Sequence, residues 1–537
     1  MGTRVSRGRS RKGCLTCKIR RVKCDEGKPT CQRCLSTGRQ CDYVADSPKV
    51  HLQIVPVNRV ETKLWKVPQA NRIPESDYRS LEFFQLHTTL CFGKDTGLHL
   101  LQAAYHEPII RTIATAIGSL HRSFVHNERG ATRDVTRFTF QHYNKAIRQL
   151  LAIDPQTSLQ SSDMFLIACI LFYCFECLQG HYSVAVQHAT SGLKIIKQQQ
   201  LMATGRNIPR YMPRETVTVL FAILENQILE IQGETSHAEE MRPALFSSFS
   251  TPTFDPSHPP TNIEDLRACF ELLYNRLTRF LSVCEMLEEE FNDSTFEFVA
   301  QIQYLEEEHL QVRADLGAWI DTFEAWLDAG GTEVVSEPHS IAILKIWKTT
   351  ISIMLGLEWP TTELSWDEHL DKFSLCLSLI SDLLGVTYPD QEHSNSASPH
   401  QNPTNNATAL PLLRPRPSKT LASTFSMSLG IVTPLYMCAT RCRDSIIRHR
   451  AIDLLSTCHR REGLWDSELV GRIARRIVNI EEEAAGIIPG TSYTPADIGI
   501  IARVRSLNPQ YGQEREIKIR YNREGDCAAP VEEIFTW

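Results

Sequence analysis

Six cysteines near the amino terminus have a doubled spacing that suits metal binding. Each half of the pattern reads C-x2-C-x6-C, and the two halves comprise Cys14, Cys17 and Cys24, then Cys31, Cys34 and Cys41. Zinc takes four tetrahedral ligands, and thiolate sulfur is a good one. Two zinc ions need eight bonds, so six sulfurs are enough if two of them bridge both ions. Cys14 and Cys31 hold equivalent places in the two halves, so a pseudo-twofold cluster can share them.

The segment between Cys17 and Cys24 has the composition of a short helix that contacts DNA. Four of its six residues are basic, namely Lys18, Arg20, Arg21 and Lys23. Ile19 and Val22 are three apart, and this spacing predicts one helix face packed against the metal core. The basic side chains would supply donors for guanine edges and charges for phosphates.

Residues 14–41 resemble the fungal binuclear zinc cluster family of transcription factors. The matching stretch reads CLTCKIRRVKCDEGKPTCQRCLSTGRQC, and the proline that the family usually carries two residues before its fourth cysteine corresponds to Pro29. The resemblance implies two zinc ions per chain, bridged by Cys14 and Cys31. The other ligands in this set are Cys17, Cys24, Cys34 and Cys41.

The same resemblance implies a way of reading DNA. The family recognises a short G/C-rich triplet in the major groove with a basic pair at the end of its first helix, and this pair corresponds to Arg20 and Arg21. Lys18 and Lys23 are then expected to contact phosphates. The predicted function is a sequence-specific DNA-binding transcription regulator of the fungal RNA polymerase II type.

Two other arrangements of the six cysteines fit the sequence less well. A disulfide framework is typical of oxidising compartments, whereas this chain begins with charged residues and shows no apolar signal segment. Two separate mononuclear sites would each need four ligands, which neither half supplies, and no histidine lies between Cys14 and Cys41.

Charge is unevenly distributed along the 537-residue chain, whose formal net charge is −6. Residues 1–43 contain 12 Lys or Arg and 3 Asp or Glu, which gives +9 and leaves −15 on the rest. Electrostatic attraction to DNA is therefore expected at one end only. The basic run consists of Arg4, Arg7, Arg9, Arg11 and Lys12. It predicts either a nuclear localisation signal or an arm that adds phosphate contacts, and the nucleus is the expected location.

Beyond the cysteines the sequence predicts a mainly α fold, in which a small zinc module and a linker precede a large all-α regulatory domain. Apolar residues recur at helical spacing from about Tyr78 onward, and sustained alternation is scarce. Predicted helices occupy residues 109–120, 138–151, 162–178, 182–198, 216–231, 263–290, 298–327, 340–355, 366–384, 421–440, 442–457 and 467–483. The predicted domains are a basic arm (1–13), the zinc cluster (14–43), a proline-rich linker (44–77), the all-α domain (78–490, with a disordered loop at 388–419) and a C-terminal tail (491–537).

The helical region resembles the fungal-specific regulatory domain that often follows this zinc cluster. The resemblance rests most on PLYMCATRCRDSIIRHRAIDLL, followed by REGLWDS. It implies a domain that adjusts activity or binds partners. The arginines of this motif predict a charged helix face with intramolecular pairs, in preference to a second nucleic-acid patch; they are Arg441, Arg443, Arg448 and Arg450.

Other segments carry weaker predictions. Cys174 and Cys177 form a C-x2-C within an apolar helical pattern, which indicates core packing. The final VEEIFTW follows a polar segment with no evident packing pattern, so it is a candidate activation segment. The apolar run 164–175 is too short to span a bilayer, and no membrane contact is predicted.

The sequence contains no H-E-x-x-H, P-loop, G-x-S-x-G or Rossmann glycine pattern, and its histidines are scattered. We therefore predict no enzyme. The alternative function is a helical ligand-binding or protein-interaction scaffold with an attached zinc module. The expected partner is double-stranded DNA. Further candidates are a second copy of the chain, the transcription machinery and a small-molecule effector. No apolar heptad persists in the linker, which leaves dimerisation open.

Overall fold

The computed structural model describes residues 13–43, 74–126, 133–153, 158–201, 211–232, 257–289, 296–330, 337–357, 362–387, 416–417, 423–512, 515–523 and 530–537. The chain divides into two compact units, Met1–Arg72 and Ile73–Trp537. The basic run before Gly13 and nearly all of the predicted linker lie outside the described residues. The predicted loop at 388–419 also lies outside them, except for residues 416–417.

The first unit contains two short helices, α1 (Leu15–Ile19) and α2 (Gln32–Leu35). They contact each other, and the backbone N–H of Leu15 donates to the carbonyl of Asp42 at 2.7 Å. A unit of this size buries little apolar surface besides its cysteines, so its stability must come largely from metal ligation.

The second unit is mainly α-helical, as the sequence predicts. Its helices are α3 (Glu75–Phe83), α4 (Lys94–His106), α5 (Pro108–Val125), α6 (Arg133–Leu151), α7 (Ser158–Gln179), α8 (Tyr182–Leu201), α9 (Arg214–Gln232), α10 (Ile263–Glu289), α11 (Phe296–Asp328), α12 (Pro338–Met354), α13 (Leu370–Leu384), α14 (Val432–Arg441), α15 (Ser445–Thr457) and α16 (Ser467–Ala484). A π-helical turn (Phe84–Thr88) and a 3-10 turn (Thr89–Phe92) follow α3, and further 3-10 turns lie at Ser365–His369, Pro495–Asp497 and Ile500–Ala502.

The first half of this unit packs around α5, which contacts α3, α4, α6 and α7. Ile110, Ile113 and Ile117 repeat at three and four, and all three are fully buried. At Gly118 an added Cβ would collide with the carbonyl oxygen of Ser80, so glycine lets α3 and α5 cross closely. The next layer is α7, which is buried on nearly all sides and packs against α8. Cys174 and Cys177 lie fully buried on α7, which confirms their prediction as core residues.

Three helices near the carboxyl end, α14, α15 and α16, pack on one another. Aspartates are the N-caps of two of these helices. Asp444 and Asp466 accept hydrogen bonds from backbone N–H groups in the first turns of α15 and α16. The helix predicted from residue 421 is wrong in its first half. It begins only at Val432, and Thr424–Ser426 form a strand instead, since tertiary strand pairing overrides a weak local preference.

Strands are few and form three small sheets in the described chain. The first pairs β1 (Val386–Thr387) with β2 (Arg416–Pro417), antiparallel. The second has the order β3 (Thr424–Ser426), β4 (Arg460–Glu462), β5 (Trp465–Asp466), with β3 parallel to β4. The third is antiparallel, in the order β6 (Val504–Tyr511), β7 (Glu516–Arg523), β8 (Val531–Thr536).

The third sheet corrects the expectation of a tail without a packing pattern. Ile517, Ile519 and Tyr521 alternate along β7 and are buried. Strand β8, which contains most of VEEIFTW, is docked on α16, because Arg476 donates from Nε and Nη2 to the carboxylate of Glu533. The alternation in β7 is a sequence signal that the all-α prediction passed over.

Among the described helices, none combines the length and the apolar composition that crossing a bilayer requires.

Candidate metal centre and nucleic-acid interface

The structure brings the six clustered cysteine sulfurs into two overlapping sets of four. The sets are Cys14, Cys17, Cys24 and Cys31, and Cys14, Cys31, Cys34 and Cys41; within each, all sulfurs lie within 4.8 Å of one another. Cys14 and Cys31 belong to both sets. Cys41 is half-buried, and the other five side chains are buried. Two tetrahedral zinc sites built from six sulfurs need two sulfurs in common, and the geometry provides them. The assignment of individual ligands stays a prediction.

Distances within the cluster fit zinc and do not fit disulfides. Cys14 Sγ lies 3.7 Å from Cys31 Sγ and 3.7 Å from Cys34 Sγ, and Cys17 Sγ lies 3.7 Å from Cys31 Sγ. Sulfurs that stand about 2.3 Å from one zinc ion are about 3.8 Å apart in a regular tetrahedron. A disulfide needs a sulfur separation of about 2.0 Å, and none joins the described cysteines. These residues therefore fit two zinc ions.

Cys14 and Cys31 also cap the two short helices. Each sulfur accepts a hydrogen bond at 3.4 Å from the backbone N–H three residues later, which belongs to Cys17 in α1 and to Cys34 in α2. Burial raises the pKa of the Cys14 and Cys31 thiols, but these N–H groups and neighbouring thiols outweigh burial, so the net pKa of each is lowered. Backbone N–H groups therefore favour both shared sulfurs as thiolates, and they favour the unshared Cys24 in the same way, since its net pKa is also lowered.

The predicted DNA-binding residues lie at and beyond the end of α1. Lys18 is exposed on the helix, Arg20 is its half-buried C-cap, and Arg21 and Lys23 are exposed in the following turn. Arg20 Nη1 donates to Thr37 Oγ1 at 3.2 Å, which ties the end of α1 to the second half. Lys18, Arg21 and Lys23 make no side-chain hydrogen bond or salt bridge with any residue that the structure describes. Three cations are therefore presented to solvent together.

Helix α1 is shorter than predicted, and the expectation for Ile19 and Val22 is wrong. Their side chains are 80% and 41% exposed, so they do not pack against the cysteines. The helix ends early because the N–H of Val22 bonds the carbonyl of Cys17 and the N–H of Arg21 bonds that of Lys18. This is a Schellman end, which needs a left-handed residue.

Arg21 supplies that left-handed residue, with φ at 56°. In the second half the equivalent place, also seven residues after the first cysteine, is taken by Gly38 with φ at 60°. Glycine adopts this conformation without strain, whereas arginine does not. No sequence signal marks this helix end, since glycine is the residue that usually does so.

Residues between and beside the cysteines hold the unit in shape, and the sequence reasoning missed them. Asp25 accepts from the backbone N–H groups of Gln32 and Arg33 at the start of α2, and these bonds hold the pKa of its carboxyl below the usual range. Tyr43 donates its hydroxyl to the carbonyl of Gly27 at 3.1 Å. Their only sequence signal is their place next to the cysteines, where supporting groups of a metal site are expected.

The arginine-rich motif of α14 and α15 is no second nucleic-acid patch. Arg443 and Arg448 are both fully buried, and each donates to one carboxylate oxygen of Glu481, at 2.8 and 2.7 Å. Arg443 and Arg441 also pair with Glu363. Intramolecular pairing was predicted and is confirmed, but the pairs are buried between elements and do not form a helix face in solvent.

Comparisons with known proteins agree with this geometry. Residues 12–49 match the model of the fungal Zn(2)-Cys(6) binuclear cluster domain. The chain is 34% identical to an aspercryptin biosynthesis cluster-specific transcription regulator of Emericella nidulans, over 99% of this chain and 96% of that protein.

Two further relatives cover less of the chain. A Zn(2)-C6 fungal-type transcription factor of Aspergillus fumigatus is 26% identical over 36% of this chain and 54% of that protein. A lysine biosynthesis regulatory protein of Saccharomyces cerevisiae is 58% identical over 43 residues, which are 8% of this chain and 5% of that protein. No solved structure gives a significant match.

Proposed function

This chain belongs to the fungal Zn(2)-Cys(6) family of DNA-binding transcription regulators, which hold two zinc ions, and we propose how its residues divide that work. Cys14 and Cys31 bridge the two ions, and the four remaining ligands are Cys17, Cys24, Cys34 and Cys41. The two sulfur sets that share Cys14 and Cys31 carry this assignment. When bound, zinc joins the two halves and supplies most of the folding free energy of the unit.

The exposed basic turn is the proposed reader of a G/C-rich triplet in the major groove. Arg21 donates to guanine edges, while Lys18 and Lys23 contact phosphates. Arg20 and Arg21 together form the proposed base-reading pair. The hydrogen bond from Arg20 to Thr37 holds the turn in place. The strained backbone at Arg21 supports its role, since an arginine stands where a glycine would adopt the same conformation more easily.

We assign the mainly α-helical second unit, Ile73–Trp537, within which the all-α domain was predicted at 78–490, to control of transcriptional output, and we assign the chain to the nucleus. The full-length likeness to a cluster-specific regulator of biosynthesis supports a similar role here, as regulator of one set of biosynthetic genes. Mapping of bound sites in the source genome tests this role. Sites scattered over unrelated genes would contradict it.

Selection of DNA from a random pool tests the reading of DNA, with residues 1–80 and then with the full chain. We expect enrichment of a G/C-rich triplet in both. One triplet means monomeric reading, and two triplets at fixed spacing mean a dimer. No enrichment over random duplex with zinc-loaded protein would favour the alternative, a scaffold whose zinc module binds protein.

Replacing Arg21 by glycine separates base reading from folding. The variant Arg21→Gly removes the backbone strain and should fold at least as well, yet it should lose about 1–3 kcal/mol of discrimination between the selected site and a mutated triplet. The control is Arg33→Ala, which removes the same charge from the exposed face of α2. Equal weakening on all DNA sequences would assign Arg21 to phosphate contact instead.

A further inference from the structure

A small cavity of about 30 Å³ lies within the helical body, lined by residues of α9, α10 and α12, of the segment around the start of α14, and of β4 and β5. Asn226 and Glu271 are buried in its wall, whereas Glu230, Ser428 and Leu429 are half-buried and form a rim towards solvent. The space holds about two water-sized groups. Nothing in the reading of DNA uses this cavity.

Two glutamates in the wall have no cationic partner among the residues that the structure describes. Glu230 accepts from Trp465 Nε1 at 2.7 Å and from the hydroxyl of Tyr274, and Glu271 accepts from the backbone N–H of Leu429 at 3.3 Å. Neither makes a salt bridge with any described residue. Arg267, the cation near Glu271, is paired with Glu264. One buried and one half-buried carboxylate held by neutral donors alone are poorly compensated, since a charge removed from water needs a counter-charge.

Asn226, which lines the same cavity, has a buried amide donor with no partner among the described residues. Asn226 is 4% exposed, and its Oδ1 accepts from Asn275 Nδ2 at 2.9 Å and from the hydroxyl of Thr278 at 3.0 Å. These bonds fix the orientation of the amide. Asn226 Nδ2 then has no acceptor among the described residues. Buried donors are nearly always paired, so this one points to an acceptor supplied from outside the chain.

Aromatic rings complete the lining. Tyr274, Trp347 and Trp465 border the cavity, and the rings of Tyr274 and Trp347 lie 4.9 Å apart at 67°. Both indole N–H groups are already used, by Gly430 and by Glu230. The indoles therefore have no N–H left for a ligand, and aromatic rings beside carboxylates are a setting that attracts organic cations.

We propose that this cavity binds the protonated amine end of a small organic molecule. Glu230 and Glu271 accept from the ammonium group, and Asn226 donates to an oxygen beside it. A bare metal ion fits less well: among the described residues, the two cysteine sets are the groups of three or more ligands close enough to hold one. The cavity admits only the amine and its first carbons, so the rest of the ligand extends past the rim. This inference does not depend on DNA binding.

Calorimetric titration of the full zinc-loaded chain tests the proposal, with leucinol as a primary amine that carries a neighbouring hydroxyl. The matched control is N-acetyl leucinol, which keeps the hydroxyl and the apolar tail but has no charge. We expect leucinol to bind saturably. N-acetyl leucinol should bind more weakly by roughly 10- to 100-fold, because it cannot make the charge-assisted hydrogen bond. Equal binding of both compounds, or saturable binding of neither, overturns the proposal.

Isosteric variants locate the site. Glu230→Gln and Glu271→Gln each remove one charge with no change of shape, and each should weaken leucinol binding by roughly 10-fold or more. The control is Glu215→Gln, the same change at an exposed position of α9, which should bind as the parent does. Circular dichroism checks that each variant is folded. Folded glutamine variants that bind leucinol like the parent would place the amine elsewhere and defeat the proposal.

Discussion

Cys14 and Cys31 each have two roles in the proposed site. Each is the N-cap of a short helix, and each belongs to both sulfur sets. The cap fixes the sulfur, because it accepts the N–H of the residue three places on. Arg21 also has two roles, since its left-handed backbone conformation ends α1 and its side chain is exposed to solvent. At this scale, local backbone geometry and the proposed chemistry are set by the same few residues.

Shared sulfurs should have a different effect on zinc content from unshared ones. Cys31→Ser removes a ligand from both sets, so we expect native mass spectrometry to find fewer than about one zinc per chain. Cys41→Ser removes a ligand from one set and should retain about one. Cys169→Ser, outside the cluster, should retain about two. Equal zinc content in Cys31→Ser and Cys41→Ser would argue against the bridge.

Helix α16 holds the carboxyl-terminal half of the body together through one carboxylate. Glu481 bonds Arg443, Arg448 and the backbone N–H of Val504 at the start of β6. Burial raises the pKa of Glu481, but the two guanidinium groups outweigh burial, so its net pKa is lowered. Its stabilising contribution is therefore present above the ordinary glutamate pKa of 4.5 and is lost as the pH falls through the lower pKa of the folded state.

Neutralising this carboxylate should destabilise the body. We expect Glu481→Gln to lower the free energy of unfolding by about 3 kcal/mol at neutral pH, because two buried arginines lose a charged partner. Glu483→Gln makes the same change at an exposed position of α16 and should have little effect. Urea unfolding measures both, and the difference between parent and Glu481→Gln should shrink in acid. A difference that stays constant down to acid pH would show that charge is not the cause.

Strand β8 lies in the segment that the sequence suggests for activation, and the structure indicates another role for it. Trp537 donates its Nε1–H to the carbonyl of Gly180 at 3.2 Å, and its ring centroid lies 5.4 Å from that of Tyr182. Such contacts tie the end of β8 to the turn between α7 and α8. An activation segment needs to be accessible to partners, whereas these contacts indicate a structural role.

Substitution in β8 distinguishes the two roles. We expect Trp537→Ala to destabilise the body by about 2 kcal/mol, because a half-buried ring and its hydrogen bond are lost. Ile534→Ala is the control on the same strand, since its side chain is 63% exposed. Thermal unfolding compares them. Unchanged unfolding together with reduced reporter transcription in Trp537→Ala would restore the activation hypothesis.

For the whole molecule, charge separates the part that contacts DNA from the part that does not. Residues 1–43 carry +9 and the remainder −15, so we expect phosphate contacts from the first unit alone. Lys18→Ala should reduce the slope of log affinity against log salt by about 0.9, for one lost contact. Lys145→Ala, at an exposed site of α6, should leave the slope unchanged. Binding titrations at several salt concentrations measure this, and an equal change in both slopes would place the body on DNA as well.

The sequence by itself determined the zinc chemistry and the mainly α class. Spacing of six thiols and a basic run are local properties, and a 3.6-residue apolar period is readable wherever one helix face is buried. Tertiary structure decided what depends on distant partners. It paired Thr424–Ser426 with β4 and folded the expected tail onto α16. It also placed Glu230 and Glu271 beside one cavity with no counter-charge from any described residue, because residues far apart in the chain meet only when the helices pack.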